Sequence, residues 1–315
     1  MEDIRRWLPI AAFAPIAWGS TYFVTREFLP DAPLWGAAVR ALPAGLILLV
    51  LVRRLPHGSW WWKSLVLGIL NVGAFFVLVY AAAQLLPASI ASTIMAFSPV
   101  TLALVAWLLV QERPNALRLA GGAVGVVGVG LMLLGGTTRL SWIGVAASVI
   151  AMVMSSFGFI LAKRWNRDVD VLASTAWQLT AGGLLLLPVA LLFEGPPPAV
   201  DGIGLAAYAY LTLIATALAY VTWFTALKHL RGDAVGLVGL LNPVTGVLLG
   251  VLVAGDVLGP RQWAGLALVL VGIAAPLAFR RKQPSATLRE PAPASPRDRA
   301  VRSGAIDPVT RRAAG

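Results

Sequence analysis

The sequence predicts an all-α integral membrane protein, with ten transmembrane helices arranged as two inverted five-helix repeats. Three observations carry this prediction. Of 315 residues, 58% are hydrophobic and only 12% charged, against about 25% charged in soluble domains. The apolar residues fall into segments of bilayer-spanning length separated by short polar connections. Sliding the chain by 144 positions lays Phe76–Gly130 on Tyr220–Ala274 without a gap.

The segments follow in order. The N-terminal "MEDIRRWLPIAAFAPIAWGSTYFV" begins with basic residues like a signal peptide. Its apolar run is of spanning length with no cleavage site, so 7–27 reads as the first span. Further spans are expected at 33–52, 64–86, 88–110, 114–135, 141–162, 171–193, 204–227, 233–254 and 260–279. "SWWWKS", from Ser59 to Ser64, reads as an interfacial aromatic belt with a lysine. From Gln283 onward the chain is rich in proline, small residues and arginine without periodicity, the composition of a disordered tail. The division is therefore 1–140, 141–282 and 283–315.

Charge sets the orientation, because Lys and Arg are retained on the cytoplasmic side. The N-terminus and alternate connections hold fifteen of them, among them Arg53, Arg54, Lys63, Lys163 and Arg164; the opposite connections hold only Arg26, Arg139 and Arg261. Both termini are expected in the cytoplasm of a multi-pass plasma (inner) membrane protein. The net charge of +11 is thus a topology signal, and nucleic acid is not an expected partner. The expected partners are the lipid bilayer and a small-molecule substrate; monomer and homodimer both remain open. The chain has no cysteine, which excludes disulfides, iron–sulfur clusters and thiol nucleophiles. His57 and His229 fall in cytoplasmic connections, and no span carries paired acids, so an intramembrane enzyme, a catalytic site, a metal site or a cofactor is not expected. The glycine runs lack the strand and lysine of a P-loop and read as small-xxx-small packing faces.

The repeat gives two prolines a meaning. Pro99-Val100-Thr101 superposes on Pro243-Val244-Thr245, Phe76 on Tyr220 and Tyr80 on Phe224. Earlier in each half, "RALPAGLILL" lies beside "QLTAGGLLLL". Five is odd, so the second copy enters the bilayer from the opposite side, the arrangement used for alternating access about a midplane site. Pro99 and Pro243 each fall near a span centre, where a proline removes a helix hydrogen bond. Ser98 and Asn242, just before them, offer polar partners in a cavity wall. A simple kink and a hinge are both compatible with the pattern.

The motifs "WGSTYFVTR", the proline-centred span ending at Glu112 and the glycine-rich "GGAVGVVGVGLML" resemble the drug/metabolite transporter superfamily, EamA type, over roughly residues 11–279. The resemblance implies a ten-helix carrier that moves metabolites, often amino acids, usually outward. A multidrug or lipophilic-cation exporter and a metabolite importer share the fold. Small multidrug-resistance relatives carry a glutamate in the first helix; this chain has none there.

Candidate substrate contacts lie on helix faces. Trp18, Thr21, Tyr22 and Thr25 share one face at helical spacing, as do Thr212, Thr216, Tyr220 and Trp223. Asn71 and the Phe76–Tyr80–Gln84 ridge are comparable. Such aromatic walls suit planar ligands and cations and equally suit packing against one another. Arg40 is placed about 10 Å below the outer surface, seven residues into its span at 1.5 Å each. An intramembrane arginine is costly unless paired or hydrated. A carbonyl, a loop acid such as Glu27 or Asp31, or the substrate itself is its expected partner.

Overall fold

The computed structural model describes residues 2–95, 97–111, 120–121, 123–125, 127–128, 130–131, 141–166, 169–229, 238–239, 241–255 and 257–278. The tail from 283, Glu112, Asp256 and most of the connection before Ser141 lie outside the described residues. Within them the chain is helical, without strands. The helices are α1 (Glu2–Phe28), α2 (Pro33–Val52), α3 (Trp60–Leu85), α4 (Ala88–Met95), α5 (Ser98–Val110), α6 (Trp142–Trp165), α7 (Val171–Phe193), α8 (Gly202 to His229), α9 (Leu241–Leu252) and α10 (Pro260–Ala278). The described parts of 120–131 are also helical. Among the described residues six spans are long and apolar enough to cross a bilayer, Ala88–Val110 counting as one.

The expected spans 33–52 and 171–193 coincide with α2 and α7. Others shift: the first helix starts at Glu2 rather than 7, and α3 starts at Trp60, so the tryptophan belt forms a helix's first turn. Trp61 and Trp62 are exposed, as an interfacial belt requires, whereas Trp60 is buried against Trp177, ring centroids 5.5 Å apart. Beside Pro99 the described helix is interrupted by a turn at Phe97. The span is divided into α4 and α5, joined at Phe97, whose carbonyl accepts from the Val100 amide at 3.0 Å. Pro99 stands in the first turn of α5, where its missing N–H costs no helix bond. Pro243 lies within helical residues, with 238–239 helical before it and α9 continuing after it.

α2 and α7 pack antiparallel at the centre. At one end both Glu194 carboxylate oxygens accept the first-turn amides of α2, Leu34 at 2.8 Å and Trp35 at 2.9 Å. At the other, Trp177 Nε1 donates to Arg54 O at 2.7 Å. Glycines let the backbones touch between them. A Cβ on Gly45 would lie 2.5 Å from Thr180 N, and one on Gly183 would lie 2.7 Å from Leu42 Cα. The two contacts are reciprocal, since "RALPAG" set beside "QLTAGG" equates Gly45 with Gly183 and Leu42 with Thr180. A second reciprocal set joins Gly128 to Gly265 and Gly272 to Gly121, equated by the 144-residue shift.

Two stretches depart from α-geometry: Ile69–Gly73 within α3 and Tyr210–Leu218 within α8 are π-helical. Shifted by 144 residues, the first falls inside the second. π-turns are uncommon and concentrate at functional sites.

Candidate functional site

The two π stretches are where side chains from other helices reach backbone carbonyls. In α8 the Ala219 amide bonds Ile214 O and Thr216 O, bypassing Ala215 O, which an α-helix would pair with it. Ala215 O instead accepts Arg40 Nη2 at 3.0 Å and Trp18 Nε1 at 3.1 Å. In α3, Asn71 O accepts the Tyr220 hydroxyl at 2.7 Å. Asn71 and Ala215 are equivalent under the 144-residue shift.

Arg40 is buried, and the partner it finds is a carbonyl together with a hydroxyl. Its Nε donates to Thr216 Oγ1 at 2.6 Å, and its guanidinium carbon lies 4.3 Å from the centroid of Phe76. The loop acids are not its partners: Arg40 makes no ion pair among the described residues, and Glu27 lies 4.0 Å from Arg26. Its two hydrogen bonds use two of five guanidinium N–H groups.

Phe76 leads from Arg40 into an aromatic cluster. Its ring centroid is 6.0 Å from Tyr220, which lies 5.5 Å from Trp18 and 5.8 Å from Phe224. Trp18 in turn meets Trp223 edge-on at 5.2 Å, and Phe159 closes the group 5.8 Å from Phe224. Such edge-to-face pairs are the favoured aromatic geometry. The equivalent residues Phe76 and Tyr220 thus touch each other.

Several buried polar atoms here have no hydrogen-bond partner among the described residues: Asn71 Oδ1, Gln178 Nε2, Trp223 Nε1 and Asn242 Oδ1. Native interiors hold few of these. Asn71 Nδ2 donates to Gln178 Oε1 at 2.9 Å, and both residues are wholly buried. Gly158 makes room for that amide, since a Cβ there would collide with Asn71 Oδ1.

Of the residues expected from sequence, Trp18, Arg40, Asn71, Tyr220 and Trp223 are brought together. Asn242 opens α9 where its carbonyl abuts Gly19, next to Trp18. Tyr22 packs in a neighbouring apolar group with Val79, Leu86 and Ile90, within electrostatic reach of Arg40. Tyr80 donates to Pro30 O at 2.5 Å, and Gln84 to Leu29 O at 3.1 Å, so both anchor the α1–α2 turn. Ser98 begins α5 and its carbonyl accepts Thr101 Oγ1 at 2.9 Å. Sequence reading missed Phe159, which nothing distinguishes within its apolar span. It also missed Gln178, for which the signal was present: an amide in an apolar helix, at the repeat position of Arg40.

The EamA-like transporter family matches the chain twice, over residues 5–134 and 142–276. Protein PecM of Dickeya dadantii (strain 3937) is 37% identical, over 82% of this chain and 88% of its own length. An uncharacterized inner membrane transporter, YedA of Escherichia coli (strain K12), is 29% identical over 85% of this chain and 90% of its own. A solved crystal structure superposes with a TM-score of 0.68 at 22% identity, covering 89% of this chain and 99% of that one, a likeness of fold. The chain belongs to the EamA-like transporter family of the drug/metabolite transporter superfamily.

Proposed function

We propose that this chain is a secondary carrier of the plasma (inner) membrane. It exports a small carboxylate-bearing metabolite such as an amino acid, by alternating access about a site at the bilayer midplane. The observation that carries the reading is Arg40 reaching from α2 to the π stretch of α8 beside the aromatic cluster. A guanidinium with donors to spare suits a carboxylate, which it can bind through paired charge-assisted hydrogen bonds. The aromatic walls suit the apolar body of the substrate. They would also suit a lipophilic cation, but a fixed positive charge 4.3 Å from the Phe76 ring opposes one.

The halves 1–140 and 141–282 are proposed as inverted repeats with both termini cytoplasmic. The reciprocal glycine contacts, the matched π stretches and the double family match support the repeat, and the Lys/Arg bias of the connections supports the orientation. Trp18, Arg40, Asn71, Tyr220, Trp223 and Asn242 line the path, Tyr22, Tyr80 and Ser98 shape its walls, and Pro99 and Pro243 serve as hinges. The experiment is an untargeted comparison of metabolites released by cells with and without the protein. An amino acid or other small carboxylate should accumulate outside only when the protein is present. Release limited to lipophilic amines would overturn the proposed substrate class.

A further inference from the structure

Gln178 is the eighth residue of α7 and Arg40 the eighth of α2, and the antiparallel packing of the two helices sets them toward opposite ends of the pair. Each ties its helix to the π stretch of the other half: Arg40 to Ala215 and Thr216, Gln178 to Asn71. Arg40 and Gln178 are equivalent in the repeat, as are Ala215 and Asn71. The chain therefore holds one tie twice, once with a cation and once with a neutral amide. At 1.5 Å per residue each tie lies about 10 Å inside its own end of the bundle, so the two straddle the middle.

We propose that these ties are the two gates of the carrier and that Gln178, with Asn71, is the positioning pair of the cytoplasmic gate. This rests on the carrier reading above and on its orientation. In alternating access one mouth opens while the other stays shut. Parting α7 from α3 breaks the Gln178–Asn71 bond and opens the cytoplasmic side; parting α2 from α8 breaks the Arg40 bonds and opens the outer side. The buried Asn71 Oδ1 and Gln178 Nε2 have no partner among the described residues, so a single hydrogen bond holds the neutral tie.

Weakening one tie must shift the population toward opening at that mouth and away from the other, a signed result that general loosening cannot give. The natural absence of cysteine permits single reporters. Ser20→Cys reports the outer side, where Ser20 Oγ meets Tyr210 OH at 2.6 Å. Ser156→Cys reports the cytoplasmic side, where Ser156 Oγ meets Thr101 Oγ1 at 2.7 Å. Each is alkylated with a maleimide in membrane vesicles of the full chain, in the parent, Gln178→Leu, Asn71→Leu and Arg40→Gln backgrounds. Gln178→Leu should raise the Ser156→Cys to Ser20→Cys labelling ratio about five-fold, the shift given by roughly 1 kcal/mol for one net hydrogen bond. Asn71→Leu removes the same bond from the other side and should match it if Gln178→Leu inserts poorly; Arg40→Gln should lower the ratio. Parallel changes at both reporters, or none, overturn the gate assignment. Opposite changes of inverted sign keep the two gates and overturn the membrane orientation.

Discussion

Tyr220→Phe removes one oxygen from the centre of the molecule and leaves the ring in place. Tyr220 is 1% exposed and its hydroxyl donates to Asn71 O at 2.7 Å. The ring still meets Trp18, Phe76 and Phe224 in the variant, so apolar burial is conserved and the hydrogen bond alone is tested. Such a bond contributes about 1 kcal/mol net, and a carbonyl left without a partner raises the loss to about 1–3 kcal/mol. At roughly 2–4 °C per kcal/mol, the scale for chains of about 150–250 residues, the melting temperature of the purified protein in detergent should fall by about 2–12 °C. Thr222→Val is the control: its hydroxyl bonds only carbonyls of its own helix, Leu218 O and Ala219 O, both at 2.9 Å. It should change stability by no more than about 0.5 kcal/mol. A Tyr220→Phe protein as stable as the parent, with Thr222→Val equally neutral, would refute the view that this bond holds the first π stretch to α8.

The α2–α7 contact makes two further predictions, read by thermal unfolding in detergent. Gly183→Ala places a methyl 2.7 Å from the Leu42 backbone, which cannot yield as a side chain would. It should cost about 1–3 kcal/mol as overpacking, whereas alanine at Gly202, with nothing within 4 Å, should be tolerated. Glu194→Ala strips two acceptors from the first turn of α2 and should cost about 1–2 kcal/mol; Glu194→Gln, which keeps one acceptor oxygen, should fall between it and the parent. A neutral Glu194→Ala would show that water replaces the carboxylate.

What the sequence made legible depends on range. Composition and segment length located the spans because burial in lipid demands an apolar run of fixed length; α2 and α7 came out to the residue. The repeat was legible as an alignment; Arg40 was legible as an intramembrane charge, and Tyr220 as part of a polar-aromatic helix face. The π stretches were not legible, because no residue type marks them: they arise where tertiary contacts such as Arg40 and Trp18 to Ala215 O compete with the helix ladder. The position of the turn at Phe97 was not legible, since proline reads alike in a helix's interior and its first turn. Tyr80 illustrates a different limit. Its helical face pointed to the path, but the same face reaches the α1–α2 turn, and a hydroxyl binds whichever carbonyl lies in reach.

The central claim is that Arg40 receives the carboxylate of a transported metabolite, and it is tested most directly in liposomes. Purified protein would be reconstituted with vesicles loaded with a labelled amino acid identified from released metabolites, or with its uncharged carboxamide analogue. Efflux would then be followed for the parent, Arg40→Lys and Arg40→Gln. Loss of one charge-assisted partner costs about 1.5–3 kcal/mol, so Arg40→Gln should weaken handling of the carboxylate at least ten-fold while changing the amide little. Arg40→Lys, which keeps the charge without the planar fork, should fall between. Equal loss for both substrates would make Arg40 a purely structural tie to Thr216 and Ala215 and would contradict the carboxylate site.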